Sequence, residues 1–309
     1  MLIIKAFLIH LPASGGPSLL GHEVSENLDN QQTFSIFIVF KNEYIPMKSY
    51  GKTALIAGAS EGIGAAFAKE LAAAGMELVL VARGYDKLSS LATAITESYG
   101  VKTHILQCDL GESDAADAIM SFLEISSLKI DLLVYNAAVS PIEEFLMIDR
   151  SLIDKAVQVN IITQAKLIHS LGTLMAERGR GSVIIVSSMA GLQGSGGVSL
   201  YAATKAFGRV LAEGLWYEWR GKGVDVITCI AGATSTPNYI KSKPLKGSPL
   251  APKPQMPEEV AKECLKRIGR TPSFICGRGN RIASFFMQRV LPRKMAVKIM
   301  GDNTARIYP

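Results

Sequence analysis

Cysteine and histidine are scarce in this chain. Of its 309 residues four are cysteine (Cys108, Cys229, Cys264, Cys276) and four are histidine (His10, His22, His104, His169). None falls at the short spacings that hold zinc or form a redox pair. No metal site and no disulfide framework are expected, and the thiols read as buried small hydrophobes of a reducing compartment. Long apolar runs are lacking too. None reaches the roughly 18 residues of a membrane span, and the run at 34–40 is far too short. Charge is sparse, at 19% of residues, with a net value of +6. Lys and Arg thicken only over 266–298, and no aromatic–basic stripe accompanies them, so nucleic acid is not an expected partner. Anionic phosphates or a membrane surface account for the excess equally well. There is no internal repeat and no low-complexity tract, and a secretory leader is not expected. What remains is a chain with 48% hydrophobic content, enough for a large buried core. A cytoplasmic location is expected, with peripheral membrane contact kept open.

Residues 1–46 read differently from the rest. They join a Pro/Gly/Ser stretch at 12–18, a polar stretch at 23–33 and an apolar run at 35–40, with no common period. The expectation is a poorly ordered extension, or an artefact of start-site choice, ahead of a single domain over 47–309. From Lys52 onward apolar runs alternate with helical patterns. Strand-like runs lie at 53–57, 78–82, 102–107, 132–135, 183–186, 225–230 and 274–276. Helical patterns lie at 63–74, 86–98, 114–125, 151–176, 201–220 and 257–268. Near-continuous apolar strands predict a parallel sheet covered on both faces. Strict alternation predicts an α/β fold, a doubly wound sheet of seven strands with right-handed crossovers. The proline-rich segment 241–257 predicts a long irregular loop of the kind that serves as a lid.

After the first strand-like run comes Gly58-Ala59-Ser60-Glu61-Gly62-Ile63-Gly64, then a helical pattern. Glycines allow a tight turn and a close backbone approach to a pyrophosphate, and a helix N-terminus adds unpaired N–H groups. The spacing is G-x-x-x-G-x-G rather than the commoner G-x-G-x-x-G. The second strand-like run ends in Val81-Ala82-Arg83. No carboxylate stands there to take a ribose 2′-hydroxyl, while Arg83 offers a fork of donors suited to a 2′-phosphate. NADP is therefore expected over NAD. Glu61, a negative charge beside that pocket, argues the other way.

Tyr201 and Lys205 stand four residues apart in a helical pattern and so share a face. A free tyrosine ionises at about pH 10, too high for proton exchange at neutrality. A fixed cation beside it favours the phenolate, so Lys205 is expected to lower the Tyr201 pKa. A tyrosine tuned in this way can trade a proton with a carbonyl or alcohol oxygen. Ser188 lies thirteen residues upstream.

Taken in order and spacing, Gly58/Gly62/Gly64, Cys108-Asp109-Leu110, Asn136-Ala137-Ala138, Asn160, Ser187-Ser188 and Tyr201/Lys205 resemble the motifs of the short-chain dehydrogenase/reductase family. The resemblance runs over about 48–281 and implies a Rossmann-like fold that carries nicotinamide chemistry. It implies that Tyr201 is the general acid in reduction and the base in oxidation. Lys205 would lower its pKa and hold the nicotinamide ribose. Ser188 would grip the substrate oxygen, and Asn160 would anchor a water that relays protons to Lys205. Cofactor contacts would come from Gly58, Ser60, Glu61, Gly62, Ile63, Gly64, Arg83, Asp109, Leu110, Asn136, Ala137, Tyr201, Lys205, Gly232, Thr234 and Thr236. Asp109 would meet the adenine, Asn136 the ribose, and Thr236 the nicotinamide amide or pyrophosphate. Three positions depart from the family's usual residues: Ala57 for Thr, Ala138 for Gly, and Ala231-Gly232 for Pro-Gly. All three shape the cofactor cradle rather than proton transfer.

The apolar residues after Ser188, the flexible run Gly194-Ser195-Gly196-Gly197, Val139-Ser140-Pro141 and the loop at about 237–257 predict an adaptable apolar cleft. It suits a hydrophobic ketone or alcohol, such as an acyl chain or a steroid-like molecule. Over 278–309 basic and apolar residues alternate at helical spacing, interrupted by Pro292. That tail is expected to cap the domain or pack on a subunit, with membrane contact as the other outcome. Helical patterns 151–176 and 201–220 resemble the faces through which the family forms homodimers and homotetramers. The alternatives to an oxidoreductase are a non-catalytic dinucleotide-sensing regulator and an epimerase or dehydratase on the same scaffold.

Overall fold

The computed structural model describes residues 51–242, 244–245 and 253–308, all within the unit of chain from Glu43 to Pro309. The expectations for residues 1–46, and for the middle of the 237–257 loop, fall outside the described residues.

Seven strands form one parallel sheet: β1 (Thr53–Ala57), β2 (Glu77–Ala82), β3 (Thr103–Gln107), β4 (Leu132–Tyr135), β5 (Gly181–Ser188), β6 (Val224–Ala231) and β7 (Ser273–Ile275). Their spatial order is β3-β2-β1-β4-β5-β6-β7. Register is tight, with Ile56 of β1 opposite Leu80 of β2 on one side and Val134 of β4 on the other. The strands are apolar on both faces because both faces are covered. Ala54, Ile56, Leu78 and Leu80 enter one core, while their neighbours Leu55, Ala57, Val79 and Val81 enter the other. Full burial of each Leu, Ile or Val among them is worth about 1.5–3 kcal/mol.

The first core is closed by α1 (Gly62–Ala73), α2 (Tyr85–Tyr99) and, further on, α8 (Pro257–Leu265), through Phe67, Leu88, Ile95 and Val260. The second is closed by α3 (Ala115–Ile125), α5 (Thr163–Glu177) and α6 (Ser199–Trp219), through Ile119, Leu167, Leu171 and Ala212. The doubly wound α/β expectation is met. From β1 the chain builds outward to β2 and β3, then returns to lay β4 on the other side of β1. That reversal opens a crevice at the carboxyl ends of β1 and β4, where such sheets bind ligands.

Two departures bear on function. The helix expected over 151–176 is not uniform. It runs as α4 (Arg150–Val157), a π-helical turn over Gln158–Ile162, and then α5. Such single turns gather at functional sites, and Asn160 lies inside this one. After the short helix α7 (Pro237–Lys241) and β7, the tail folds into α9 (Arg278–Phe285), a second π turn over Phe286–Val290, and α10 (Arg293–Ile307). Pro292 stands at the break, as expected of a residue with no N–H to continue a helix. The thiols of Cys229, Cys264 and Cys276 are buried and free, with Cys229 Sγ 3.3 Å from Cys276 Sγ. Among the described residues no helix is long and apolar enough to cross a membrane.

Candidate active site

The glycine turn is shaped by how little room it has. Gly58 has φ +83°, a conformation L side chains rarely adopt, and a Cβ there would lie 2.7 Å from the Ala137 amide nitrogen. At Gly64 the problem is space. A Cβ would strike the Gly58 carbonyl oxygen and come within 2.8 Å of Asn136 Nδ2. Asn136 closes the turn by donating from Nδ2 to that same carbonyl at 2.9 Å. Glu61 stands at the N-cap of α1 and makes no side-chain capping bond. The first N–H groups of α1 are thus left for an anion, which a helix N-terminus favours. Thr236 comes down on this turn from the β6 side, with its methyl carbon 2.9 Å from where a Gly62 Cβ would lie. Its Oγ accepts from the Tyr239 N–H and caps α7. Thr234 Oγ donates to the Gly232 carbonyl at 3.0 Å. The residues therefore fit a dinucleotide, whose pyrophosphate the N-terminus of α1 would hold.

At the end of β2 Arg83 is exposed, and its carbonyl accepts from Gln107 Nε2 at 2.9 Å. Glu61 does not stand bare beside it, because Lys87 in the first turn of α2 forms an ion pair with it. Sequence reading passed over Lys87; the signal was its place one helical turn beyond Arg83. Asp109 follows β3. Its Oδ1 accepts from the Gly111 N–H at 3.0 Å, and its Oδ2 lies 3.3 Å from Lys155 Nζ. Burial alone would raise this carboxyl, but the Gly111 N–H, Lys155 and Arg83 outweigh it and the pKa falls. Leu110 is buried, and its carbonyl accepts from Thr163 Oγ at 2.9 Å. Ser60, Ile63 and Ala137 are each half-buried along the turn and its facing loop.

The three residues expected to handle the proton come together where the carboxyl end of β5 meets α6. Lys205 Nζ lies 5.8 Å from the centroid of the Tyr201 ring. The Ser188 hydroxyl faces the Tyr201 phenol and favours its ionised form. Ser188 Oγ also accepts from the Ala190 N–H at 3.2 Å, which leaves its own proton to donate. The loop after Ser188 is pressed onto α6, since a Cβ on Gly191 would lie 2.7 Å from the Lys205 carbonyl carbon. Ser187 Oγ donates to the Lys205 carbonyl at 2.8 Å, tying strand to helix beneath the site.

Two details differ from the sequence expectation. Lys205 Nζ donates to the Val186 carbonyl at 2.8 Å, and burial lowers its own pKa from 10.5 to about 8. The Tyr201 phenol is raised rather than lowered. Burial pushes it up, and the opposing pull of Ser188 does not cancel that. Both charged forms suffer from the same loss of water, which here exceeds the attraction expected between them. Asn160 is 2% exposed and spends its side chain locally. It donates from Nδ2 to the Val139 carbonyl at 2.8 Å and to Thr204 Oγ at 2.9 Å, and its Oδ1 accepts from the Val139 N–H at 2.8 Å. It therefore fixes the loop after β4 against the helix that carries Tyr201 and Lys205. The backbone partners of Lys205 and Asn160 leave no trace in a sequence.

A family profile described as short chain dehydrogenase matches residues 52–245. The 7beta-hydroxysteroid dehydrogenase of Clostridium sardiniense is 34% identical over 234 residues, covering 76% of this chain and 88% of that protein. The very-long-chain 3-oxoacyl-CoA reductase of Mus musculus is 30% identical over 304 residues, covering 94% of this chain and 93% of that one. Among solved structures, one of a 7beta-hydroxysteroid dehydrogenase superposes with a TM-score of 0.77 at 31% identity, covering 82% of this chain and 98% of its own. A short-chain dehydrogenase from Sphingobium yanoikuyae in complex with NADPH superposes with a TM-score of 0.65 at 27% identity, over 73% and 87% of the two chains.

Proposed function

The chain belongs to the short-chain dehydrogenase family and is an oxidoreductase of the CH–OH/C=O class; we propose that it works with NADP(H) on a bulky, largely apolar ketone or the matching secondary alcohol. The observation that carries this reading is the convergence of Ser188, Tyr201 and Lys205 at the sheet's carboxyl edge. Nicotinamide, when bound, supplies or accepts the hydride. The rest is the work of this chain's own side chains.

A ketone oxygen between Ser188 and Tyr201 receives a hydrogen bond from the serine hydroxyl, whose oxygen is already occupied by the Ala190 N–H. Tyr201 rests protonated, since burial holds its pKa up. That is the form reduction requires. As negative charge grows on the substrate oxygen, held by the Ser188 proton, the phenol gives up its own proton, and the remaining phenolate is stabilised by the nearby Lys205 ammonium. Lys205 has three donors and spends one on Val186. Two are left for ribose hydroxyls and for returning a proton towards Tyr201.

The NADP preference rests on Arg83 just after β2 and Lys87 in the first turn of α2, with Glu61 neutralised by its pairing to Lys87. Two relatives support the substrate class, one named for a hydroxysteroid and one for a very-long-chain 3-oxoacyl thioester. Exposed Leu174 on α5 and Val210 and Tyr217 on α6 support assembly through those helices as a homodimer or homotetramer. The test is loss of reduced-cofactor absorbance on a panel of ketosteroids, 3-oxoacyl thioesters, aldehydes and small ketones, with NADPH and NADH in parallel. Oxidation of NADPH by a bulky ketone is the expected result. Cofactor binding with no turnover across the panel would instead favour the regulator, and faster turnover with NADH would overturn the cofactor choice.

A further inference from the structure

The family match ends at residue 245, yet the chain continues, and the end of α10 does not finish in solvent. Ser195, in the loop after Ser188, shares a hydrogen bond with Thr304 at 2.8 Å between hydroxyl oxygens, and both residues are buried. The Thr304 methyl stands 3.4 Å from where a Cβ on Gly197 would lie. Three residues further along, the Ile307 carbonyl accepts from the Leu245 N–H at 2.9 Å. One helical turn therefore ties together two segments, one leaving β5 beside Ser188 and the other lying beyond Thr236. Tyr308 follows at once and is half-buried.

The first of these segments has little else to hold it. A Cβ on Gly194 or Gly196 would meet open space, and glycine-rich backbone is costly to order. The segment also carries Gln193 Oε1, a buried acceptor with no partner among the described residues. Leaving such a group unpaired is unfavourable, and a ligand donor would supply the missing partner. The position of Tyr308 shows in its neighbours as well, because charge on it raises both Tyr201 and Tyr239.

We propose that the last turn of α10, with Tyr308 directly after it, is the far wall of the substrate cleft, and that Tyr308 selects for a bulky ketone over a compact one. This rests on the reductase reading and adds to it the residue that sets substrate size. The tail reaches both loops, and an aromatic ring at its end gives the body of a large ketone a surface to meet. A compact ketone held by Ser188 and Tyr201 would not extend that far.

The experiment compares wild type, Tyr308→Ala, Tyr308→Phe and Thr304→Val, using NADPH with cyclohexanone and with a tetracyclic ketosteroid. In Tyr308→Ala the kcat/KM ratio of ketosteroid to cyclohexanone should fall about tenfold or more, the scale of a lost apolar contact. NADPH affinity by fluorescence should not change. Tyr308→Phe, which keeps the ring and removes only the hydroxyl, should keep the ratio; a ratio that falls as far as in Tyr308→Ala would overturn the part assigned to the ring. An unchanged ratio in Tyr308→Ala overturns the proposal. If wild type reduces neither ketone, it is the reductase reading that fails. The wall is then decided by amide hydrogen exchange over 193–197 in Thr304→Val. Protection lost at least tenfold supports it, and protection retained overturns it.

Discussion

On the side of the crevice proposed for the cofactor, position is set by backbone that tolerates no side chain; on the side proposed for the substrate it is set by a few side-chain ties across open loops. Gly58 and Gly64 sit where a Cβ would collide with neighbouring main chain, and Asn136 locks the turn from below. In the loop after β5 a Cβ on Gly194 or Gly196 would point into open space, and the Ser195–Thr304 bond does the holding. A ligand common to a whole family can be met by rigid backbone. A ligand that differs from member to member is better met by loops whose ties are easily exchanged.

The comparison breaks most sharply where the two sides meet. Tyr201→Phe removes the transferable proton and keeps the ring. Turnover should fall by roughly 10²–10⁴, while NADPH binding, measured by fluorescence, stays at the wild-type level. A parallel loss of cofactor affinity would mean that the phenol serves the cradle rather than the chemistry.

Next in size is the cradle itself. Gly64→Ala puts a methyl against the Gly58 carbonyl and Asn136, an overpacking cost of about 1–3 kcal/mol. NADPH affinity should weaken on the order of ten- to a hundredfold, whereas the same substitution at Gly194, in open space, should leave it unaltered. Calorimetric titration of both variants reads the contrast directly. Equal effects at the two glycines would remove the distinction between rigid and loosely tied halves.

A smaller effect is expected at the end of β2. Arg83→Ala and Lys87→Ala each remove one exposed cation from the proposed 2′-phosphate site. Hydrogen bonds to charged groups are worth about 1.5–3 kcal/mol, less where solvent screens them. The KM for NADPH should rise about tenfold in each variant, with that for NADH nearly constant. Steady-state kinetics with both cofactors would reveal a parallel rise, which would refute the assignment.

Much of the rigid half was legible in the sequence because backbone constraints leave a residue-type signature. Gly58, Gly62 and Gly64 announce the turn, and the strand-like runs at 53–57 and 132–135 coincide with β1 and β4. Tyr201 and Lys205 were readable from their spacing. Less legible was what depends on partners far apart in the chain. Lys87 neutralises Glu61 across 26 residues, Ser195 finds Thr304 across 109, and no periodicity marks either pairing. The π turn around Asn160 also left no sign, because Gln158–Ile162 continues a helical pattern without a break. The direction of the Tyr201 shift was misjudged for a related reason. Spacing shows that a cation is near but says nothing of how much water both groups lose.

That loss of water yields the smallest effect and the most direct check on the shared core of the site. Lys205 titrates at about 8 in the folded chain against 10.5 for an ordinary lysine, because it is buried. Below pH 8 it is charged in both states, and the folded protein carries the full cost of a desolvated ammonium. Between about pH 8 and 10.5 the unfolded chain binds more protons than the folded one, so stability rises with pH through that window. Lys205→Met has no such group. The melting temperature of wild type without added cofactor should therefore gain on that of Lys205→Met by a few degrees between pH 7 and pH 10, whichever protein melts higher at pH 7. Scanning calorimetry of the pair at the two pH values measures the change. A constant difference would show that the ammonium is solvated in the folded chain, and Tyr201 would then have to be read as working beside water rather than within a dry pocket.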